Sequence, residues 1–409
     1  MKIGLVSLCS PLHSPEVHLA QAQPFLASLR GVGELLEIGP DRLDEADLPV
    51  AFLHTGGTEQ EFARLWPAWQ ATGKPVTLIA TGANNSLPAA LEILAWLQGQ
   101  GARGTALLHG DPAALAAAVA RRGQVVTALE TVRHSRLGVI GDPSPWLIAS
   151  QVGASSLAAR WGTTLVPIPL AAVYDSMQRV MPAAAREAAA AWRGLPARDG
   201  VGEEALAGAM RVFLGLADLV ACHDLQALTL RCFDLLADQG QTGCLALARL
   251  NDEGVTAGCE GDVPATFTML VLHRLTGRPA FMANPSRLDG DDAVFAHCSI
   301  PATLGASPEV RTHFESGKGA ALAAAWPAEN ATLARFGGPA LETCWLDEGT
   351  RLPHKPEESL CRTQVRLRLD HGTQYFRARP LGNHHVLVPG RHRDLVTGFL
   401  AAAGLVPMA

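Results

Sequence analysis

Four side chains able to bind a cation or move a proton lie within the stretch Thr242 to Pro301: Glu260, Asp262, Asn284 and His297. Each falls where an apolar segment begins or ends, the usual place for chemistry in α/β proteins. Cys259-Glu260-Gly261-Asp262 closes an apolar step. Val263 to Leu275 then repeats Leu, Met and Val at helical spacing with Pro264 in the first turn, so both carboxylates sit near a helix N-terminus that favours anions. Asp262 is placed to cap that helix. Glu260, set between small residues, has little structural work to do and reads as functional. Pro279 to Asn284 reads as a strand, and Ala293 to Ile300 as another carrying His297 between Ala296 and Cys298. An imidazole alone on an apolar strand is more often a satisfied core residue than a ligand, but carboxylates nearby shift that balance.

The elements that must position these groups follow an alternating pattern. Lys2 to Leu8, Glu34 to Ile38 and Val50 to His54 read as strands separated by helices, the signature of an open parallel sheet whose ligands bind at the carboxyl ends of strands. Two such ends are polar: His54, Thr58 and Glu59 around Gly56-Gly57, and Asn84 and Asn85 before Ser86-Leu87-Pro88. Both lack the glycine spacing of dinucleotide and P-loop sites, and they suit a hydroxyl-rich ligand, or serve as turn and N-cap devices. A fresh strand at Arg136 to Asp142 marks a boundary near residues 130–136. Thr164 to Pro169, Ala217 to Cys222, Ala227 to Cys232 and Cys244 to Leu250 then read as strands among Ala-rich helices. At the end of one of them, Arg231 either orients a hydroxyl or carboxylate or pairs with Asp234.

After Pro301 short β-like pieces follow at Gly319–Ala325, Ala331–Phe336, Ala340–Trp345, Thr363–Leu369, Thr373–Ala378 and His385–Val388. The expected fold is therefore two Rossmann-like parallel-sheet α/β domains, residues 1–135 and 136–301, followed by a mainly antiparallel β domain, residues 302–409. Within that last part His313, Glu315 and Lys318 form a second polar cluster, read as a source of an additional acid or as a solvated turn.

The chain has 409 residues, 48% apolar and 18% charged, with a formal net charge of −6. That composition supplies ample core and no basic field for nucleic acid. The longest apolar run, Ala205 to Ala221, carries Arg211 and Asp218 and reads as a core helix rather than a membrane span. Eight scattered Cys without a C-x-x-C pair, and no leader before the first strand, give the expectation of free thiols in a reducing cytoplasm.

Cys259-Glu260-Gly261-Asp262-Val263, Ala280-Phe281-Met282-Ala283-Asn284 and Phe295-Ala296-His297-Cys298 together resemble the L-fucose/L-arabinose isomerase superfamily, in particular its shorter fucose-isomerase-like members. The T-G-G-T-E and N-N-S-L-P-A segments of the first domain are similar to that family as well. The resemblance implies a metal-dependent aldose–ketose isomerase acting on an open-chain monosaccharide through an enediolate. It implies Mn2+, or another divalent cation such as Mg2+ or Co2+, and a homo-oligomer, trimer or hexamer. It also implies site roles: Glu260 as ligand and base, Asp262 as an orienting or proton-accepting partner, and His297 and a late histidine, His385 in preference to His384, as ligands. The family's second carboxylate falls at Asn284, whose amide oxygen can ligate a hard cation but cannot act as a base. His54, Thr58, Glu59, Asn84, Asn85, Arg231, His313 and Lys318 are the expected sugar contacts. Two alternatives stand beside this reading: an isomerase or epimerase of an anionic sugar, with Arg231, Arg377 or Lys318 pairing the anion, and a non-catalytic sugar-binding protein.

Overall fold

A computed structural model describes residues 1–408. The chain divides into two compact units, residues 1–130 with 397–404, and residues 131–396 with 405–409. The first holds a parallel sheet of β1 (Lys2–Leu8), β2 (Glu34–Glu37), β3 (Leu48–Leu53), β4 (Val76–Ala80) and β5 (Gly104–Leu108), in the order β2-β1-β3-β4-β5. Its central strands are near-continuous apolar runs because both faces are covered. Ile3, Leu5, Val50 and Phe52 pack against Leu26 and Val119 on one face, while Val6, Ala51, Leu53 and Leu78 pack against Phe62, Trp69 and Ile93 on the other.

The second unit combines two sheets. β6 (Arg136–Ile140), β7 (Thr164–Ile168), β8 (Ala227–Leu230) and β9 (Thr256–Cys259) form a parallel sheet in the order β7-β6-β8-β9. β10 (Phe281–Asp289) and β11 (Asp292–His297) open an antiparallel closed barrel, and β12 (Ala306–Arg311) and β13 (Ala321–Ala325) form a separate two-stranded sheet. β14 (Asn330–Gly337), β15 (Thr343–Leu352), β16 (Thr363–Leu369) and β17 (His385–Pro389) complete the barrel in the order β10-β11-β16-β15-β14-β17. The fold class is thus α/β with parallel sheets followed by an antiparallel β region. The change of texture at residue 301 does not coincide with a change of sheet: β10 and β11 precede it and already belong to the barrel.

Three expected strands are helical. Cys244–Leu250 lies in the helix Cys244–Asp252, and Ala217–Cys222 in the helix Glu203–His223, while Thr373–Ala378 forms the short helix Gln374–Ala378. Cys244 to Ala248 is buried without a break, so no polar residue marks a period, and its Leu and Ala favour helix over strand. Glu203–His223 has the length and apolarity to cross a membrane, but half of its most apolar window is buried, and it packs against the helices Leu170–Arg179, Pro182–Ala189 and Cys244–Asp252.

The helix Val263–Thr276 ties the two sheets of this unit together, contacting β8 and β9 on one side and β10, β14 and β17 on the other. Phe267 on that helix is fully buried, with ring centroids 5.0 Å from Trp161 and 5.3 Å from Phe336. Phe267→Ala should lower unfolding free energy in urea by about 3–5 kcal/mol, since the sheets on both sides keep the site from collapsing. A loss under about 1 kcal/mol, near the value of one methylene, would contradict this packing.

Candidate active site

β9 ends in a turn that aims Glu260 away from its own strand. Glu260 has φ +63° and Gly261 φ +74°, two consecutive left-handed residues. Gly261 is required there: a Cβ would come within 2.7 Å of the Pro143 backbone and 3.0 Å of the Asp142 carbonyl oxygen. A glutamate held at positive φ is strain that surrounding structure must impose, and such strain concentrates at functional sites. Here the loop after β6 imposes it, with the Ser144 amide donating to the Glu260 carbonyl at 2.9 Å. The same loop supplies Trp146, whose Nε1–H donates to Glu260 Oε2 at 2.6 Å.

Asp262, one residue past the turn, is fully buried and fills three roles. Its Oδ1 accepts the Ala265 amide at 2.9 Å and caps the helix Val263–Thr276. Its Oδ2 accepts from Arg335 Nη1 at 3.0 Å and contacts His384 Nδ1 at 2.9 Å. Arg335, also fully buried, donates further to the His384 carbonyl at 2.8 Å and to Ser150 Oγ at 2.8 Å. A carboxylate behind an imidazole fixes ring orientation and tautomer for whatever the other nitrogen binds. That nitrogen, His384 Nε2, lies 3.3 Å from Glu260 Oε1 but is not aligned to hydrogen-bond to it, and it has no hydrogen-bond partner.

His297 completes the group, its Nδ1 held by Ser299 Oγ at 2.8 Å. Glu260, His297 and His384 each offer one ligand atom, and these atoms lie within 4.8 Å of one another. Two imidazoles and one carboxylate converging on a point, with buried Asn284 Oδ1 also unpartnered, are a donor set that could hold a divalent cation. Glu260, Asn284 and His297 face a cavity that is also lined by Phe233, Thr242, His313, Glu315 and five cysteines.

The charges follow from burial and neighbours. Burial opposes the charge on Glu260, yet His384 and Trp146 outweigh it and bring the carboxyl down to about 2. Asp262 is likewise held well below the usual carboxylate range, against its burial, by Arg335 and His384. Burial, reinforced by His384, brings His297 down to about 3 and keeps it neutral. His384 is also opposed by burial, but Asp262 and Glu260 raise it to about 9.

The expected site residues separate into three groups. Glu260, Asn284, His297 and His313 line this cavity, with Asp262 directly behind it. His385 does not join: its ring sits among Trp345, Tyr375 and Phe376, with Nε2 3.0 Å from the Tyr375 hydroxyl, and His384 takes the place expected for it. Arg231 pairs with Asp234 at 2.7 Å, Lys318 is exposed on the turn that carries His313, and neither lines the cavity. In the first unit His54 and Asn84 line a different cavity with His18, Gln21 and Thr81. Burial, with His18 adding to it, lowers His54 to about 4. Thr58, Glu59 and Asn85 lie outside that lining: Thr58 donates to the Thr55 carbonyl at 3.2 Å, Glu59 opens the helix Glu59–Ala71, and Asn85 precedes the helix Ser86–Gly99. Arg335 and Trp146 were missed. A lone cation inside Leu333-Ala334-Arg335-Phe336 signals a buried, paired Arg, whereas no pattern marks Trp146.

No protein-family model matches the chain. It is similar to curated proteins named sulfoquinovose isomerase. That of Priestia aryabhattai is 24% identical over 224 residues, covering 50% of this chain and 47% of the relative. That of Alkalicoccus urumqiensis is 25% identical over 232 residues, 51% and 50% of the two chains. That of Clostridium sp. (strain MSTE9) is 32% identical over 96 residues, 23% and 22%. The chain spans about half the length of the first two relatives it matches.

The Asp262–His384 contact gives a sign for stability against pH. A His raised from its ordinary 6.5 to about 9 contributes stability that is full below about 6.5 and is lost as pH rises through about 9. Asp262, depressed, contributes above its unfolded value and loses that only in acid. With chelator present, unfolding free energy should therefore decline between pH 6.5 and 9, and Asp262→Asn should flatten the decline. The same slope in both proteins would contradict the assignment.

Proposed function

We propose that the protein is an aldose–ketose isomerase acting on an open-chain sulfonated sugar with a divalent cation, manganese foremost, held by Glu260, His297 and His384. The observation that carries this is the convergence of those three side chains on one point, with Glu260 and His297 lining the adjacent cavity. The names of the relatives support the reaction class and favour an anionic sugar over a neutral one. None of Arg231, Arg377 and Lys318 is among the residues lining the cavity, so no role toward the anion is assigned to them.

When bound, the cation would supply Lewis-acid polarisation of the sugar carbonyl, making the neighbouring C–H proton easier to remove. The chain's own residues do the rest. Trp146 fixes the Glu260 carboxylate, while Asp262 and Arg335 fix the His384 ring, so the donors are set before ligand arrives. Asn284 Oδ1 supplies a further hard oxygen, as a ligand or as acceptor for a sugar hydroxyl. Phe233 and the buried thiols form an apolar wall that limits water around the reacting carbons.

Protein purified without chelator should carry manganese or bind it on titration. Glu260→Gln and His384→Ala should weaken that binding at least about tenfold, by analogy with the size of losses at supporting residues of metal sites. His385→Ala should leave it unchanged. Binding should also release close to one proton per site near neutral pH, since His384 must give up its proton to become a ligand. Wild-type protein should convert sulfoquinovose to its ketose. Absence of turnover with both sulfonated and neutral aldoses, or a loss in His385→Ala as large as in His384→Ala, would contradict the reading.

A further inference from the structure

An aldose–ketose isomerase that works through an enediolate needs a group that takes the proton from C2 and returns it to C1, a requirement that stands on the reading above. Among the groups lining the cavity, most are already committed. Glu260 has Oε2 on Trp146 and Oε1 turned toward His384, and it belongs to the ligand group. His297 has one ring nitrogen on Ser299 and belongs to that group as well. Asn284 is an amide and cannot take a proton. Cys232 and Cys259 contact each other with sulfurs 2.9 Å apart; that contact, with burial behind it, raises the Cys259 thiol, and burial raises the Cys244 thiol. His313 has Nδ1 on Ser316 at 3.1 Å and its ring edge against Phe233.

Glu315 differs from all of these. It lines both the cavity and its mouth, alongside Glu260 and Asn284 in each. Its carboxylate makes no hydrogen bond or ion pair among the described residues. The turn that carries it is nevertheless held in place. The His313 amide donates to the Lys318 carbonyl at 3.0 Å, and the Gly317 amide to the His313 carbonyl at 2.9 Å. Thr242, on the cavity wall, donates to the Ala320 carbonyl at 3.1 Å and accepts its amide at 3.2 Å. Gly319, at φ +61°, lets the turn press against Thr242, since a Cβ there would come within 2.4 Å of Thr242 Oγ1. A free carboxylate on a pinned turn at the cavity mouth is what a proton carrier requires.

We propose that Glu315 is the base that carries the proton between C2 and C1. The Glu315 carboxylate takes the C2 proton, the C2–H electron pair becomes the second C1–C2 bond, and the carbonyl electrons move onto O1. The carboxylic acid then delivers the proton to C1, where the C1–C2 pair forms the new C–H bond. The hydroxyl proton of O2 passes to O1 and leaves the carbonyl at C2. C1 is reduced and C2 oxidised within one molecule, so no co-reactant is needed.

The test compares manganese-loaded wild-type, Glu315→Gln and Glu315→Asp proteins on sulfoquinovose in D2O, with manganese titration of each. Glu315→Gln should lower kcat by about 100-fold or more, leave KM and manganese affinity little changed, and lose deuterium exchange at the transferred position. Glu315→Asp, with its carboxylate withdrawn by one methylene, should fall between. Near-wild-type kcat and exchange in Glu315→Gln would overturn the base assignment while leaving the isomerase reading intact. Loss of manganese binding in Glu315→Gln would overturn it too, by making Glu315 part of the cation site. No turnover in wild-type protein would overturn the isomerase reading and this assignment together.

Discussion

The Asp262 carboxylate is the point on which the site depends. One oxygen caps the helix that joins parallel sheet to barrel within the second unit, and the other meets Arg335 from β14 and the His384 ring just before β17. Burying an ion pair of this kind adds little net stability, because desolvation offsets most of the attraction. What it does supply is geometry. Arg335 also grips the His384 carbonyl, so backbone and ring of His384 are both fixed against the helix terminus. Removing either charge alone would leave the other buried and unpaired, which is far more costly than the pair is favourable.

The second constraint is the turn at Glu260-Gly261. Parallel strands end pointing toward the ligand side of a sheet, but a carboxylate there needs a backbone reversal to face a cavity bounded by a different sheet. Two left-handed residues provide it, and the loop after β6 closes over them. Glu260 thus comes from the parallel sheet, while His297 and His384 come from barrel strands or their edges. The group forms only when both sheets dock on the helix Val263–Thr276, which makes this helix the common reference for all three donors.

Much of this was legible in the sequence where local signals sufficed. β1 and β16 fall where their apolar patterns place them, and Glu260, Asn284 and His297 stand out because polar groups interrupt apolar segments at element ends. Asp262 reads as a cap and is one. Cys244–Leu250 could not be read correctly, since the buried run from Cys244 to Ala248 carries no period. The choice between His384 and His385 was equally beyond local signals: adjacent residues point to opposite faces of an extended chain, and which face meets the cavity is set by the pairing of β17 with β10 and β14. The Arg335–Asp262 pair joins positions far apart in the chain and has no local trace beyond a cation in an apolar strand. The start of the barrel was hidden for a similar reason, because β10 and β11 look like continuations of the preceding α/β pattern until the barrel closes on them.

The central claim is that Glu260, His297 and His384 form one cation site. The most direct measurement is anomalous diffraction at the manganese edge from crystals grown with manganese. The account predicts one strong peak bonded to Glu260, His297 and His384, with Asp262 behind His384 and His385 still on Tyr375. A peak elsewhere in the protein, or none at this position under saturating manganese, would contradict it.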